Sequence, residues 1–436
     1  MNKSTEIKVE DDGVSSFTDG VVPPISTVEL QLKKYFLPWH KPRKQWLRTH
    51  QWNKSIFDLA HDLKLADQGR PLTYLSLPGQ DLLDIRDLST GCEKSNITLK
   101  FLGLNYIDPQ DPKARQKQVE QDLSRNEVLG LVGIDRNSFV INEKLEDISR
   151  KDSITYDKLL NSQDTFDVVN IDLCNSFGKG SPADSKDNLY DALYNIFAKQ
   201  AENRGEDWLF FLTTRNNTAQ VHPEVWKIFV NIINERAALD PQFLPSLVQR
   251  KIIDECAVLN NSLQYDRMTR KCHVGIFGTS IGFWIADVMM ALRPAWRVSM
   301  LPSYGYHVYL DPSDQSCDMI SLAFRIEKIR IKPEDPHNLS RNLAGEFVDP
   351  EKCRAEIEEK ILEEHCHQTD LDLMLDRDRF SYEEAFRRST ELLRLARYDI
   401  DNHTRQLEIE MAKLRDYLRA AGLHHEHERS SLSANI

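Results

Sequence analysis

Residues 72–88 read LTYLSLPGQDLLDIRDL. The apolar run 72–77 has the length of a strand, Pro78-Gly79 makes a sharp turn, and a strand-to-helix turn is the natural reading. Such a unit, repeated, builds a layered α/β fold. In an open α/β sheet ligands bind beyond the carboxyl ends of the strands. Gly79 has no side chain, so a ligand can approach its backbone closely, and Asp81 and Asp84 stand just past the turn.

Outward from this stretch the pattern repeats. Apolar runs of strand length lie at 97–104 (ITLKFLGL), 138–142 (SFVIN), 166–173 (FDVVNIDL) and 208–213 (WLFFLT). Continuous apolar runs suit strands buried on both faces, as in a parallel sheet. Helical stretches at 187–201 and 222–238 alternate with them. Residues 249–294 are mostly helical in pattern, with VGIFGTSIGF at 274–283 read as a strand turning tightly into the helix that follows. That stretch has neither a P-loop lysine nor a GxGxxG match. Closely spaced strand signals at 297–301, 306–310 and 318–327 favour antiparallel pairing through short loops. The expected fold is α/β: a Rossmann-like, mostly parallel sheet with an antiparallel terminal strand pair, N-terminal helices, and a C-terminal helical or coiled-coil extension.

Composition sets the outer limits. The chain has 436 residues, 28% charged and 40% hydrophobic, with a net charge of -12, which suits a globular protein of two or three units and argues against a uniformly basic nucleic-acid binder. No run approaches the ~20 consecutive apolar residues of a membrane span, so no membrane partner is expected. Seven cysteines, an odd number without a CxxC pair, fit a reduced interior and a cytoplasmic location. The expected organisation is a disordered leader at 1–27, a helical segment at 28–70 interrupted at Pro38 and Pro42, and a Rossmann-like domain at 71–330. A linker at 331–350, a helical extension at 351–421 and a tail at 422–436 follow. In the extension Leu393, Ala396, Ile400, Leu407, Met411, Leu414 and Leu418 fit a heptad seam with His403 as its polar exception. The seam serves either self-association or a protein partner, or packs an amphipathic helix on its own domain.

Three further constellations are candidates for chemistry. KFLGLN at 100–105 places Asn105 at a strand end, where its side-chain oxygen can accept a ribose hydroxyl. DVVNIDLCNSFGKG at 167–180 brings an apolar strand to Asp172, with Leu173, Cys174 and Asn175 in the loop over the sheet edge. YFLPWHKPRKQWLRTHQWNK at 35–54 carries Lys41, Arg43, Lys44, Arg48 and Lys54 with no acid among them, interleaved with Trp39, Trp46 and Trp52. Cations and flat aromatics so mixed suit a phosphate-bearing ligand, nucleic acid above all. The other reading is an amphipathic helix whose tryptophans face the sheet and whose cations face solvent or pair with acids. Cys353, His365, Cys366 and His367 are of metal-ligating types, but neighbours on a helix point in different directions, and no metal site is expected.

SLPG at 76–79, LGLN at 102–105 and DLCN at 172–175, in this order, resemble the class I S-adenosylmethionine-dependent methyltransferases in a divergent form. They look like the glycine loop after the first strand, the segment ending the second, and the substrate-side segment ending the fourth. The resemblance covers roughly residues 70–330. It implies adenosylmethionine as cofactor, held by Pro78, Gly79, Asp81, Asn105, Asp172 and Leu173. It implies Asp172 and Asn175 as the pair beside the methyl acceptor. Lys41, Arg43, Lys44, Arg48 and Trp46 are then the expected substrate-binding set. The glycine loop keeps Gly79 alone, Asn105 stands where an acid is usual, and 172–175 lacks paired prolines and an aromatic. These departures point to the alternative, a catalytically inactive binding or assembly subunit acting through its helical extension.

Overall fold

The computed structural model describes residues 32–162, 164–184, 188–310, 316–332, 337, 339 and 346–420. The leader at 1–27, the tail at 422–436 and most of the 331–350 linker lie outside these residues. The strands, in chain order, are β1 (Leu72–Ser76), β2 (Leu99–Leu104), β3 (Phe139–Ile141), β4 (Val168–Ser176), β5 (Trp208–Arg215), β6 (Val258–Leu259), β7 (Ser262–Leu263), β8 (Trp296–Tyr306), β9 (Met319–Lys328) and β10 (Thr369–Asp370). Eight of them form one sheet in the order β3-β2-β1-β4-β5-β9-β8-β10, and β6 with β7 form a separate ribbon.

The pairing explains the sequence pattern. From β3 to β5 every neighbour is parallel. β9 runs antiparallel to both β5 and β8. Helices cover both faces, so alternate residues of each strand enter two separate cores. Leu75, Val169, Phe210 and Phe324 meet one core with the helices Leu189–Asn203, Pro223–Leu239 and Arg270–Ala291. Tyr74, Val168, Leu209 and Phe211 meet the other with the helices Lys54–Asp62 and Leu83–Lys94. The chain runs from β1 outward to β2 and β3, then returns to the other side of β1 as β4. The carboxyl ends of β1 and β4 therefore flank the topological switch point, where a crevice opens.

Several expectations change in detail. Residues 274–283 contain no strand; they lie inside the helix Arg270–Ala291. Gly275 is needed there because a Cβ would strike the carbonyl oxygen of Ile252. This helix is also long and apolar enough to cross a bilayer by length and composition, with 72% of its apolar window buried in the fold. Residues 306–310 are not a separate strand: Tyr306 ends β8, which runs unbroken in the chain through a bulge at Pro302-Ser303. A bulge is where a sheet tolerates proline. Residues 32–37 are not helical; Lys33 instead forms a parallel bridge with Tyr398. Pro38 opens a short 3-10 turn and Pro42 starts a helix, which passes through a π-helical turn at Arg48–Asn53.

The C-terminal extension folds back on the body. The helix Pro350–Cys366 packs Ile357 and Ile361 into the first core. The heptad seam is interrupted between the helices Arg379–Leu395 and Ile400–Ala420. Leu393 and Ala396 bury against Leu83 and Tyr398, and Leu414 and Leu418 pack with Leu310, Leu373 and Met411. The polar exception, His403, is buried against Phe36 at 4.8 Å between ring centres.

Candidate functional site

At the switch point lies a pocket of about 790 Å³, counting its solvent-facing mouth. The β1 turn supplies Leu77 to Asp81, the start of the next helix supplies Asp84, and the end of β4 supplies Asp172 to Cys174. The N-terminal segment covers it with Trp39, Lys44 and Arg48, and the antiparallel half of the sheet adds Tyr306, Val308 and Met319.

Local backbone geometry aims these groups. Gly79 has φ +63°, and a Cβ there would meet nothing within 4 Å, so the turn leaves open space above its backbone. The register of β4 against β5 slips between Asp172 and Ser176. A bulge re-aims side chains near a strand end, and Leu173 and Cys174 here come over the pocket. Arg215, at the end of β5, donates to the Cys174 carbonyl at 2.9 Å and lies over the Tyr309 ring at 4.4 Å.

Two charge systems meet at the pocket. Lys44 Nζ is 2.7 Å from Asp172 Oδ1 and 4.5 Å from the centre of the Trp52 ring. Burial pushes the Lys44 ammonium below its ordinary pKa, and Asp172 opposes the shift. Asp81 accepts from Lys33 Nζ at 2.5 Å and from the Tyr398 hydroxyl at 2.7 Å. Burial would raise the Asp81 carboxyl, but His40, Lys33 and Tyr398 together hold it well below the usual carboxylate range. Asp84 accepts from the Tyr74 hydroxyl through Oδ2 at 3.0 Å. Its other oxygen, Oδ1, and the Nε of Arg48 are shielded from solvent and make no hydrogen bond of ordinary geometry among the described residues, while the Ser76 hydroxyl lies close enough to help lower the Asp84 carboxyl. Burial pushes the Asp84 carboxyl up, against the pull of Arg48.

Of the residues singled out in the sequence, Pro78, Gly79, Asp81, Asp172, Leu173, Lys44 and Arg48 converge on this pocket. Asn105 does not line it: its amide donates to Gln121 Oε1 at 2.7 Å. Asn175 is exposed within the β4 bulge and does not line the pocket; its backbone carbonyl accepts from Thr214. The basic segment does not form one positive rim. Lys41 pairs with Glu410 at 2.8 Å, and Arg43 pairs with Asp372 at 2.7 Å and reaches the His307 carbonyl. Arg48 donates to the Trp39 carbonyl at 3.0 Å. Trp46 packs against His50 and Tyr304. The acids and carbonyls that satisfy these cations come mostly from the far C-terminal half, so their pairing is invisible in the local sequence. Arg215, Tyr306, Val308 and Met319 join the pocket without any local signal, because only strand pairing brings them there.

A family model matches residues 33–408, which spans the N-terminal segment, the sheet and most of the C-terminal extension. The chain belongs to the PP_RS20740-like family. No curated protein matches it. The match covers both Lys33 and Tyr398, so the bridge that closes the N-terminal segment against the extension lies within the PP_RS20740-like region.

Proposed function

We propose that this PP_RS20740-like protein binds S-adenosylmethionine at the β1/β4 switch point and is a methyltransferase-like protein. One observation carries the reading. Asp84 and Arg48, of opposite charge, both line the pocket beside the open backbone of Gly79. An α-amino acid supplies both complements, an ammonium for Asp84 and a carboxylate for Arg48, and adenosylmethionine carries that group. The open backbone at Gly79 suits its close approach. A parallel sheet closed by an antiparallel pair is also the layout expected of such proteins.

The residues fit the amino-acid end of the cofactor better than the ribose end, where Asn105 is held by Gln121. Bound adenosylmethionine supplies a methyl group on an activated sulfonium, so the work left to the protein is positioning. Asp172 orients the acceptor by accepting a hydrogen bond, and Lys44 keeps that carboxylate in place at 2.7 Å. Trp39 adds an apolar wall to the pocket. Calorimetric titration with adenosylmethionine and adenosylhomocysteine tests the reading. The expected result is saturable binding of both, weakened at least about tenfold, or 1.4 kcal/mol, in Asp84→Asn and Arg48→Gln. Absence of binding at millimolar ligand rejects it.

A second reading, an inactive assembly subunit, is favoured by one specific contact. Asp172, half-buried, is already paired with Lys44, which lies in the N-terminal segment that the C-terminal extension clamps down. An absence of cofactor binding, with the fold intact, selects this reading.

A further inference from the structure

His307, Cys317 and Asp370 lie on three separate segments, and strand pairing gathers them. Tyr306 pairs with Met319 at the end of the β8/β9 ladder, which sets His307 and Cys317 near each other just beyond it. β10 adds to the outer edge of β8 with Asp370 opposite Gly305. One donor atom from each of the three lies within 4.8 Å of the others, and Cys317 Sγ is 3.4 Å from Asp370 Oδ2.

We propose that these three residues form a zinc site that fastens the C-terminal extension to the edge of the sheet. Thiolate, imidazole and carboxylate are the donor types that Zn²⁺ takes, with bonds of about 2.0–2.3 Å in a tetrahedral arrangement. Ligand atoms around such an ion stand roughly 3.3–3.6 Å apart by that geometry. The cluster therefore needs to contract by no more than roughly 1.5 Å. The fourth position is left to water. On binding, Cys317 gives up its thiol proton to solvent as the Zn–S bond forms.

The surroundings are arranged as a ligand set requires. Asp372 Oδ2 accepts from the His307 backbone N–H at 2.7 Å and lies 3.2 Å from the ring Nδ1. Arg43 holds Asp372 in turn, at 2.7 Å. Carboxylates of this kind orient metal-bound histidines. Asp370 uses Oδ1 to cap the helix Leu371–Arg377, accepting from Asp372 and Leu373 at 2.9 and 3.0 Å. Its Oδ2 faces the thiol. His307 is thus held through its backbone N–H and Asp370 through its helix cap before an ion arrives, and the Tyr417 hydroxyl, 3.4 Å from His307 Nε2, gives up that nitrogen when the ion binds. Tyr306 and Val308, which flank His307, and Met319, two residues past Cys317, are walls of the switch-point pocket, so the ion would stiffen one side of that pocket. The inference is independent of what the pocket binds.

The test uses the purified full chain, stripped of metal and then dialysed against Zn²⁺. Elemental analysis is expected to find one zinc per chain, and melting temperature is expected to rise with zinc. Both effects are expected to vanish in Cys317→Ser and Asp370→Asn and to persist in Cys366→Ser, which removes an exposed thiol. Cobalt substitution adds a readout that does not depend on stability: a thiolate-to-cobalt charge-transfer band, present in the wild type and lost in Cys317→Ser. No stoichiometric zinc in the wild type, or a cobalt band that survives Cys317→Ser, overturns the proposal.

Discussion

Two stretches that stand out in one dimension, 39–54 within the basic segment and the glycine-containing 274–283, pack largely into the fold, and they do so by different physics. The basic segment enters the interior by finding opposite charges: Lys44 meets Asp172, Arg43 meets Asp372, and Lys41 meets Glu410. The glycine-rich stretch enters by shape. Its missing side chains let the helix Arg270–Ala291 touch the Ile252 carbonyl and the rings and branches of His365 and Ile361. Electrostatic burial is graded, because its strength depends on how far each pair is removed from water. Steric burial is abrupt, because close-packed neighbours have little room to move.

The comparison is sharpened most by stranding a charge. Asp172→Asn leaves Lys44 buried without its partner and is expected to cost about 3–4 kcal/mol near neutral pH, measured by denaturant unfolding. Lys44 already has a folded pKa below its unfolded value. Between those two values the unfolded chain holds more protons, so stability rises with pH toward the unfolded value near 10.5. The variant should recover stability in that alkaline window, and a pH-independent loss would show that charge burial is not the cause.

The shape-filled region packs against an ionisable group, His365, whose ring abuts Gly278. Burial lowers its pKa to about 4 from 6.5. The unfolded chain therefore binds the extra proton between those values, and stability falls as pH drops from 6.5 to 4. The loss is expected to approach about 3 kcal/mol. His365→Gln should flatten the stability–pH curve in that window; an unchanged slope would assign it to other groups.

Gly275→Ala tests shape alone. Alanine gains up to about 1 kcal/mol of helix propensity over glycine, but the added Cβ meets backbone at Ile252, which cannot swing aside. A net loss of about 2 kcal/mol is expected, without the pH dependence of the charge variants. A neutral or stabilised variant would mean that the helix and Ile252 can separate freely.

The smallest effect belongs to the most exposed of these three pairs. Lys41 and Glu410 are partly exposed, and Lys41→Ala is expected to change stability by at most about 0.5 kcal/mol. The loss should shrink further in high salt. A loss comparable to that of Asp172→Asn would erase the gradient on which the comparison rests.

The sequence by itself determined the parallel strands, because a strand buried on both faces must read as a continuous apolar run. LTYLSL, ITLKFLGL, FDVVNIDL and WLFFLT are all such runs, and each forms a strand of the sheet. Pro78-Gly79 likewise marked the turn where the pocket opens, since proline and glycine restrict the backbone locally. What 274–283 and 39–54 do was decided only in the tertiary structure. Apolar runs that include glycine suit a strand, a turn or a buried helix equally, and only packing against Ile252, His365 and Ile361 selects the helix. Cations announce charge but not their partners, and Asp172, Asp372 and Glu410 lie 128 to 369 residues away. The same holds for Asn105, drawn to Gln121, and for His307, Cys317 and Asp370, which meet through strand pairing. A side chain's type is written in the sequence, but its partner is set by where the sheet brings distant segments together.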